Sequence, residues 1–105
     1  MNRRVLHDNR DANEPEIIDI LHGAGAVVER LKAGRKAGIP DLLVGFNGQW
    51  LLVEVKNPGH KRAGDGLSKE QRAFRALCEY RGLPWYLVTD EGDCLDLLTK
   101  VGAKP

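Results

Sequence analysis

The sequence predicts an α/β sandwich around one mixed sheet. Three observations predict it. Periodic segments follow one another in the order helix, strand, strand, strand, helix, strand, helix. Two β-rich runs flank Asn47 and Gly48, the dipeptide that best fits a two-residue type I′ hairpin. The 105 residues, 42% hydrophobic and 30% charged, have the size and composition of a single globular domain. That domain is expected over residues 13–105, behind a polar, mobile N-terminal arm at residues 1–12.

Asn13 reads as the N-cap of the first helix, with Glu16 completing a capping box and Pro15 tolerated in the first turn. Ile17, Ile20, Leu21 and Ala24 make its buried stripe, and Gly23 with Gly25 ends it. Ala26 to Leu31 reads as a short strand, and Lys32 to Gly38 as a Gly-rich basic loop. The hairpin strands are Asp41 to Phe46 and Gln49 to Lys56. A second basic loop runs from Asn57 to Gly66, with His60 expected in solvent. Ser68 caps a helix from Lys69 to Arg81 whose inner stripe is Ala73, Phe74, Leu77 and Cys78, and Gly82 and Pro84 stop it. Trp85 to Thr89 is the last strand, and Asp90 caps a short helix through Leu98. Trp50 and Trp85 are expected in the core.

The longest apolar runs fall far short of the roughly 18 residues that a membrane span needs. The polar first residues carry no apolar signal core, so a cytoplasmic protein is expected. Two cysteines, Cys78 and Cys94, are too few for a disulfide framework and read as core thiols. The net charge of +1 is uninformative, but its distribution is not. Lys32 to Arg75 holds nine basic residues against four acidic ones, and both flanks are acidic. A positive middle in a nearly neutral chain suits a localised polyanion site.

With Asn47 and Gly48 as the whole turn, Asp41 falls directly opposite Glu54, their Cβ atoms about 5 Å apart, whereas a four-residue loop would make the pair diagonal and a three-residue loop would put Asp41 on the other face. Lys56 shares that face by the strand's period of two. A lone Glu-x-Lys usually marks a solvated strand face. Here Leu43, Trp50 and Leu52 share the face, so it should be covered, and charges at the end of a covered face need a reason. Two carboxylates with a lysine beside a positive loop suit Mg²⁺, which one or two carboxylates hold together with waters and phosphate oxygens. The expected chemistry is metal-assisted phosphodiester hydrolysis. Asp41 and Glu54 would hold the ion, the Val55 carbonyl would add a ligand, and Lys56 would orient or deprotonate the attacking water or stabilise developing charge.

Gly38-Ile39-Pro40-Asp41, the strand Glu54-Val55-Lys56, and Leu67-Ser68 with Gln71 at a helix start resemble the PD-(D/E)xK nuclease superfamily, and within it the small VRR-Nuc domains. The resemblance runs from about Asn13 to Leu98. It implies a restriction-endonuclease-like α-β-β-β-α-β core, with a mixed central sheet flanked by helices, that binds Mg²⁺ or Mn²⁺ and cleaves DNA. Free-standing members resemble phage or bacterial proteins that act as homodimers on branched DNA such as Holliday junctions. Carried over, Asp41 and Glu54 correspond to metal-binding carboxylates and Lys56 to the catalytic lysine. Glu14 and Glu16 both qualify as the family's first-helix glutamate; Glu14 is preferred because Glu16 has a capping role. Gln71 matches the family's glutamine, although Ser68-x-x-Gln71 is also a capping box by itself. Arg35, Lys36, Lys61, Arg62, Lys69, Arg72 and Arg75 are candidate phosphate contacts. The competing readings are a non-catalytic nucleic-acid-binding module and a ribonuclease. Intact Asp41, Glu54 and Lys56 argue against the first, since a pure phosphate binder gains affinity by losing both acids.

Overall fold

In a computed structural model of the chain, residues 12–31, 36–57 and 66–103 are described. The central hairpin turns on two residues of positive φ, Asn47 at 53° and Gly48 at 79°, as a type I′ turn requires. It joins β2 (Leu42–Phe46) to β3 (Gln49–Val55). Their partners run from Phe46 against Gln49 to Leu42 against Val53. One step further, this register sets Asp41 opposite Glu54. Asn47 Nδ2 donates to the Val101 carbonyl at 2.9 Å, which ties the turn to the last helix.

β1 (Val27–Arg30) pairs antiparallel with β2, and β4 (Trp85–Val88) pairs parallel with β3, so the sheet is mixed with order β1-β2-β3-β4. Helices α1 (Glu14–Gly23) and α3 (Glu91–Gly102) cover one face and α2 (Lys69–Tyr80) the other. Against α1 and α3, the alternate residues Leu42, Val44, Leu51, Val53 and Val55 bury with Ile17, Leu21, Cys94, Leu97 and Val101. A smaller cluster of Leu67, Cys78 and Trp85, with Leu52, Phe74 and Leu87, lies under α2. The order α-β-β-β-α-β-α is the expected one. Among the described residues, no helix is long and apolar enough to cross a membrane.

Several local expectations are corrected. Asn13 caps nothing with its side chain: its backbone is already helical, at φ −83° and ψ −4°, and Glu16 is exposed. Ala24, at the end of α1, is also exposed. Trp50 is 56% exposed: it lies near the turn, outside the cluster under α2, and rests on Gly45 across the strands. On α2 the inward residues are Gln71, Phe74, Arg75 and Cys78, a three-and-four spacing rotated from the expected stripe, and Ala73 and Leu77 face outward. The rotation lets Arg75 stack on Trp85, 4.8 Å from its ring centroid, while pairing with Glu79. Helix α3 continues to Gly102 because Val101, fully buried, extends the stripe of Cys94 and Leu97. Residues 1–11 of the arm expected at 1–12, residues 32–35 and 58–65 of the two basic loops, and with them the candidates Arg35, His60, Lys61 and Arg62, lie outside the described residues.

Candidate active site

Three segments meet at the open end of the hairpin. Gly38 packs on the first turn of α2, with φ +94° and a position where an added Cβ would lie 2.5 Å from the Glu70 carbonyl oxygen. Only glycine fits there. That close approach leads the chain through Ile39 and Pro40 to Asp41, whose own carbonyl accepts from the Leu31 amide at 2.8 Å. Asp41 Oδ2 accepts from the Val55 amide at 2.8 Å. The side chain thus takes the place of the next strand residue in the ladder, just where β2 begins. Within a strand, a residue's N–H and C=O point to the same side. The Val55 carbonyl therefore also faces the Asp41 side, whereas the Lys56 amide faces β4 and donates to the Val88 carbonyl at 3.0 Å.

Glu54 is only 2% exposed, and a carboxylate so buried requires partners. Its Oε2 accepts from Gln71 Nε2 at 3.0 Å and lies 3.8 Å from Lys56 Nζ. At that distance the lysine is a charge neighbour rather than a hydrogen-bond donor, so its N–H groups stay available to another acceptor. The Gln71 amide works at both ends. Its Oε1 accepts from the Ser68 amide at 2.8 Å and its backbone amide donates to Ser68 Oγ at 3.1 Å, closing a capping box, while Nε2 holds Glu54. Capping and carboxylate positioning are one arrangement.

Glu14 is fully buried and Glu16 exposed. Glu14 Oε2 lies 3.0 Å from Arg30 Nε. Arg30 stands opposite Leu42, so this pair occupies the α1 face of the sheet, whereas Asp41 and Glu54 share the α2 face. Among the described residues no three His, Cys, Asp or Glu side chains gather closely enough to hold a metal ion. Arg30, which sequence reasoning missed, carries no local signal: its partner lies on another element.

The donors at the Asp41 end are two carboxylates and a carbonyl, all oxygen. This set fits a hard divalent cation such as Mg²⁺ or Mn²⁺. Of the candidate phosphate contacts, Lys36, Lys69 and Arg72 are exposed beside this end, and Arg72 Nη2 also donates to the Leu67 carbonyl at 2.9 Å. Arg75 is partly committed to Trp85 and Glu79.

The sequence model of a family described as the VRR-NUC domain matches residues 3–89 of the chain. A solved structure described as a VRR_NUC domain superposes with a TM-score of 0.65, covering 85% of this chain and 97% of its own, at 22% identity. Such a likeness establishes the fold, a restriction-endonuclease-like core. No curated protein sequence matches the chain.

Proposed function

Since the chain belongs to the VRR-NUC domain family, a nuclease family, we propose that it is a metal-dependent deoxyribonuclease that hydrolyses phosphodiester bonds at the open end of its hairpin. The observation that carries this reading is the convergence there of Asp41, Glu54 and Lys56. Asp41, Glu54 and the Val55 carbonyl are the residues that would hold Mg²⁺ or Mn²⁺. When bound, the cation supplies charge neutralisation at the attacked phosphate and acidifies water.

The chain's own residues do the rest. The Val55 amide and the Gln71 amide keep Asp41 and Glu54 in place before substrate arrives, so little reorganisation is needed at reaction. The Lys56 ammonium, charge-compensated by Glu54 but free to donate, orients the attacking water or meets the charge that builds on the phosphate. Glu14, held by Arg30, acts as an outer carboxylate at the same end of the sheet. Exposed Lys36, Lys69 and Arg72 contact phosphates of the bound strand.

Branched DNA is the proposed substrate and a homodimer the proposed state, both on the family resemblance. One site cuts one strand, so a two-fold pair suits two strands. Leu77, Tyr80 and Leu83, exposed at the end of α2, offer apolar surface for such pairing. The test incubates purified protein with labelled four-way junction, flap, duplex and single-stranded DNA and one RNA, in Mg²⁺, Mn²⁺ or EDTA, with its mass measured by light scattering. Metal-dependent cutting of the junction by a dimer is expected. Retarded but intact substrates indicate a binding module, and preferential RNA cutting a ribonuclease.

A further inference from the structure

We propose that Asn13 is a positioning residue that holds the backbone of Lys56. Its Nδ2 donates to the Lys56 carbonyl at 3.2 Å and to the Thr89 carbonyl at 2.7 Å. These carbonyls lie where β3 and β4 both stop. The Lys56 amide is already tied to Val88 at 3.0 Å, so the Asn13 bridge fixes the peptide on the other side of the lysine. The sheet's ladder holds Lys56 from within, and Asn13 holds it from beyond the ladder's end.

The alternative duty for this side chain, helix capping, is vacant. An asparagine at an N-cap ordinarily accepts from an amide in the first turn. Asn13 makes no such bond, and its backbone conformation is that of the helix itself. Its Oδ1 is buried with no hydrogen-bond partner among the described residues. Only the donor half is used, and both partners are carbonyls, which decides the orientation of the amide. The arrangement forgoes a local cap to secure a bridge between two strands.

The consequence for chemistry rests on the nuclease reading. Lys56 Nζ stands at the end of a long stem, and small displacements of its backbone carry to the ammonium. A misplacement of about 1 Å in a reacting group costs on the order of 100-fold in rate. Asn13 also immediately precedes Glu14, so the same bridge seats the start of α1 at the site's end of the sheet.

The test compares Asn13→Ser, Asn13→Asp and Asn13→Ala with the wild type, with Lys56→Ala as the reference for losing the lysine itself. Serine and aspartate cap helices about as well as asparagine, but a serine hydroxyl cannot span both carbonyls and a carboxylate repels them. We expect all three variants to lose about 10- to 100-fold in kcat, and Asn13→Ser to change KM by less than about threefold. Val101→Ala, a core truncation chosen to lower Tm at least as far, should keep wild-type turnover. The Lys56 amide should exchange with solvent about tenfold faster in Asn13→Ser, while Val44 and Leu51 stay protected. Wild-type turnover in Asn13→Ser, a loss confined to KM, or an unchanged Lys56 exchange rate would overturn the proposal. Should the wild type itself fail to cleave, the nuclease reading falls separately; faster Lys56 exchange then sustains the bridge and unchanged exchange refutes it.

Discussion

The two ends of the central hairpin are built from the same two strands in one register, yet they solve opposite problems. At the turn, Asn47 and Gly48 accept positive φ, Asn47 bonds the Val101 carbonyl, and Trp50 lies exposed on Gly45. Among the described residues, nothing charged is buried there. At the open end, Asp41 replaces a strand residue in bonding Val55, and Glu54 is buried against Gln71 and Lys56. A fold that needed only stability would not place two facing carboxylates under a helix, since each costs desolvation and they repel. On the proposed function, the open end is where stability is exchanged for chemistry.

Substitutions at the two ends should therefore have opposite signatures, loss of activity at one and loss of stability at the other. The largest effect is expected for Glu54→Gln: cleavage falls about 1000-fold, while Tm holds or rises because a buried charge is removed. A large fall in Tm, read by calorimetry, would put Glu54 among the structural residues instead. Lys56→Ala should lower turnover about 100-fold with DNA affinity changed only slightly; equal losses in both would make Lys56 a phosphate contact. Gly38→Ala should cost about 2–4 kcal/mol by urea denaturation, since it strains φ and meets backbone. Unlike Glu54→Gln and Lys56→Ala, it is expected to damage both properties. At the turn, Asn47→Ala should cost about 1–2 kcal/mol and leave the cleavage rate intact.

The smallest effect concerns pH. Burial, reinforced by Asp93 and Glu91, pushes the Cys94 thiol up to about 11 from its ordinary 9.0. Between those values the unfolded thiol ionises and the folded one does not, so the unfolded state binds fewer protons and stability falls as pH rises through that window. Urea midpoints at pH 8.5 and 10.5 should differ less in Cys94→Ala than in the wild type. An equal difference would remove the thiol from the alkaline loss of stability.

How much was legible in the sequence follows from how local each cause is. The Asn47-Gly48 turn fixes hairpin register from within two residues, and so the Asp41 and Glu54 pairing could be read without coordinates. The Ser68 and Gln71 capping box is equally local. That the same Gln71 amide also holds Glu54 depends on how α2 packs on the sheet, which no spacing announces. Asn13 shows the converse: Asn-x-x-Glu is a local capping pattern, whereas its real partners, Lys56 and Thr89, are 43 and 76 residues away. The Glu14 and Arg30 pair likewise joins separate elements. Trp50 shows that alternation identifies a face but not how far a covering helix extends along it.

Whether the open end of the hairpin is a metal-assisted hydrolytic centre is decided by Asp41→Asn. This change keeps an acceptor for the Val55 amide and removes only the charge. Single-turnover cleavage of the preferred DNA is measured for the wild type and the variant over a titration of Mg²⁺ and Mn²⁺, with EDTA as the blank. The wild type should cut in a saturable, metal-dependent manner, and the variant, with unchanged Tm, at least about 100-fold more slowly at every metal concentration. Equal rates in the two proteins, or wild-type cutting that persists in EDTA, would contradict a metal-assisted centre there.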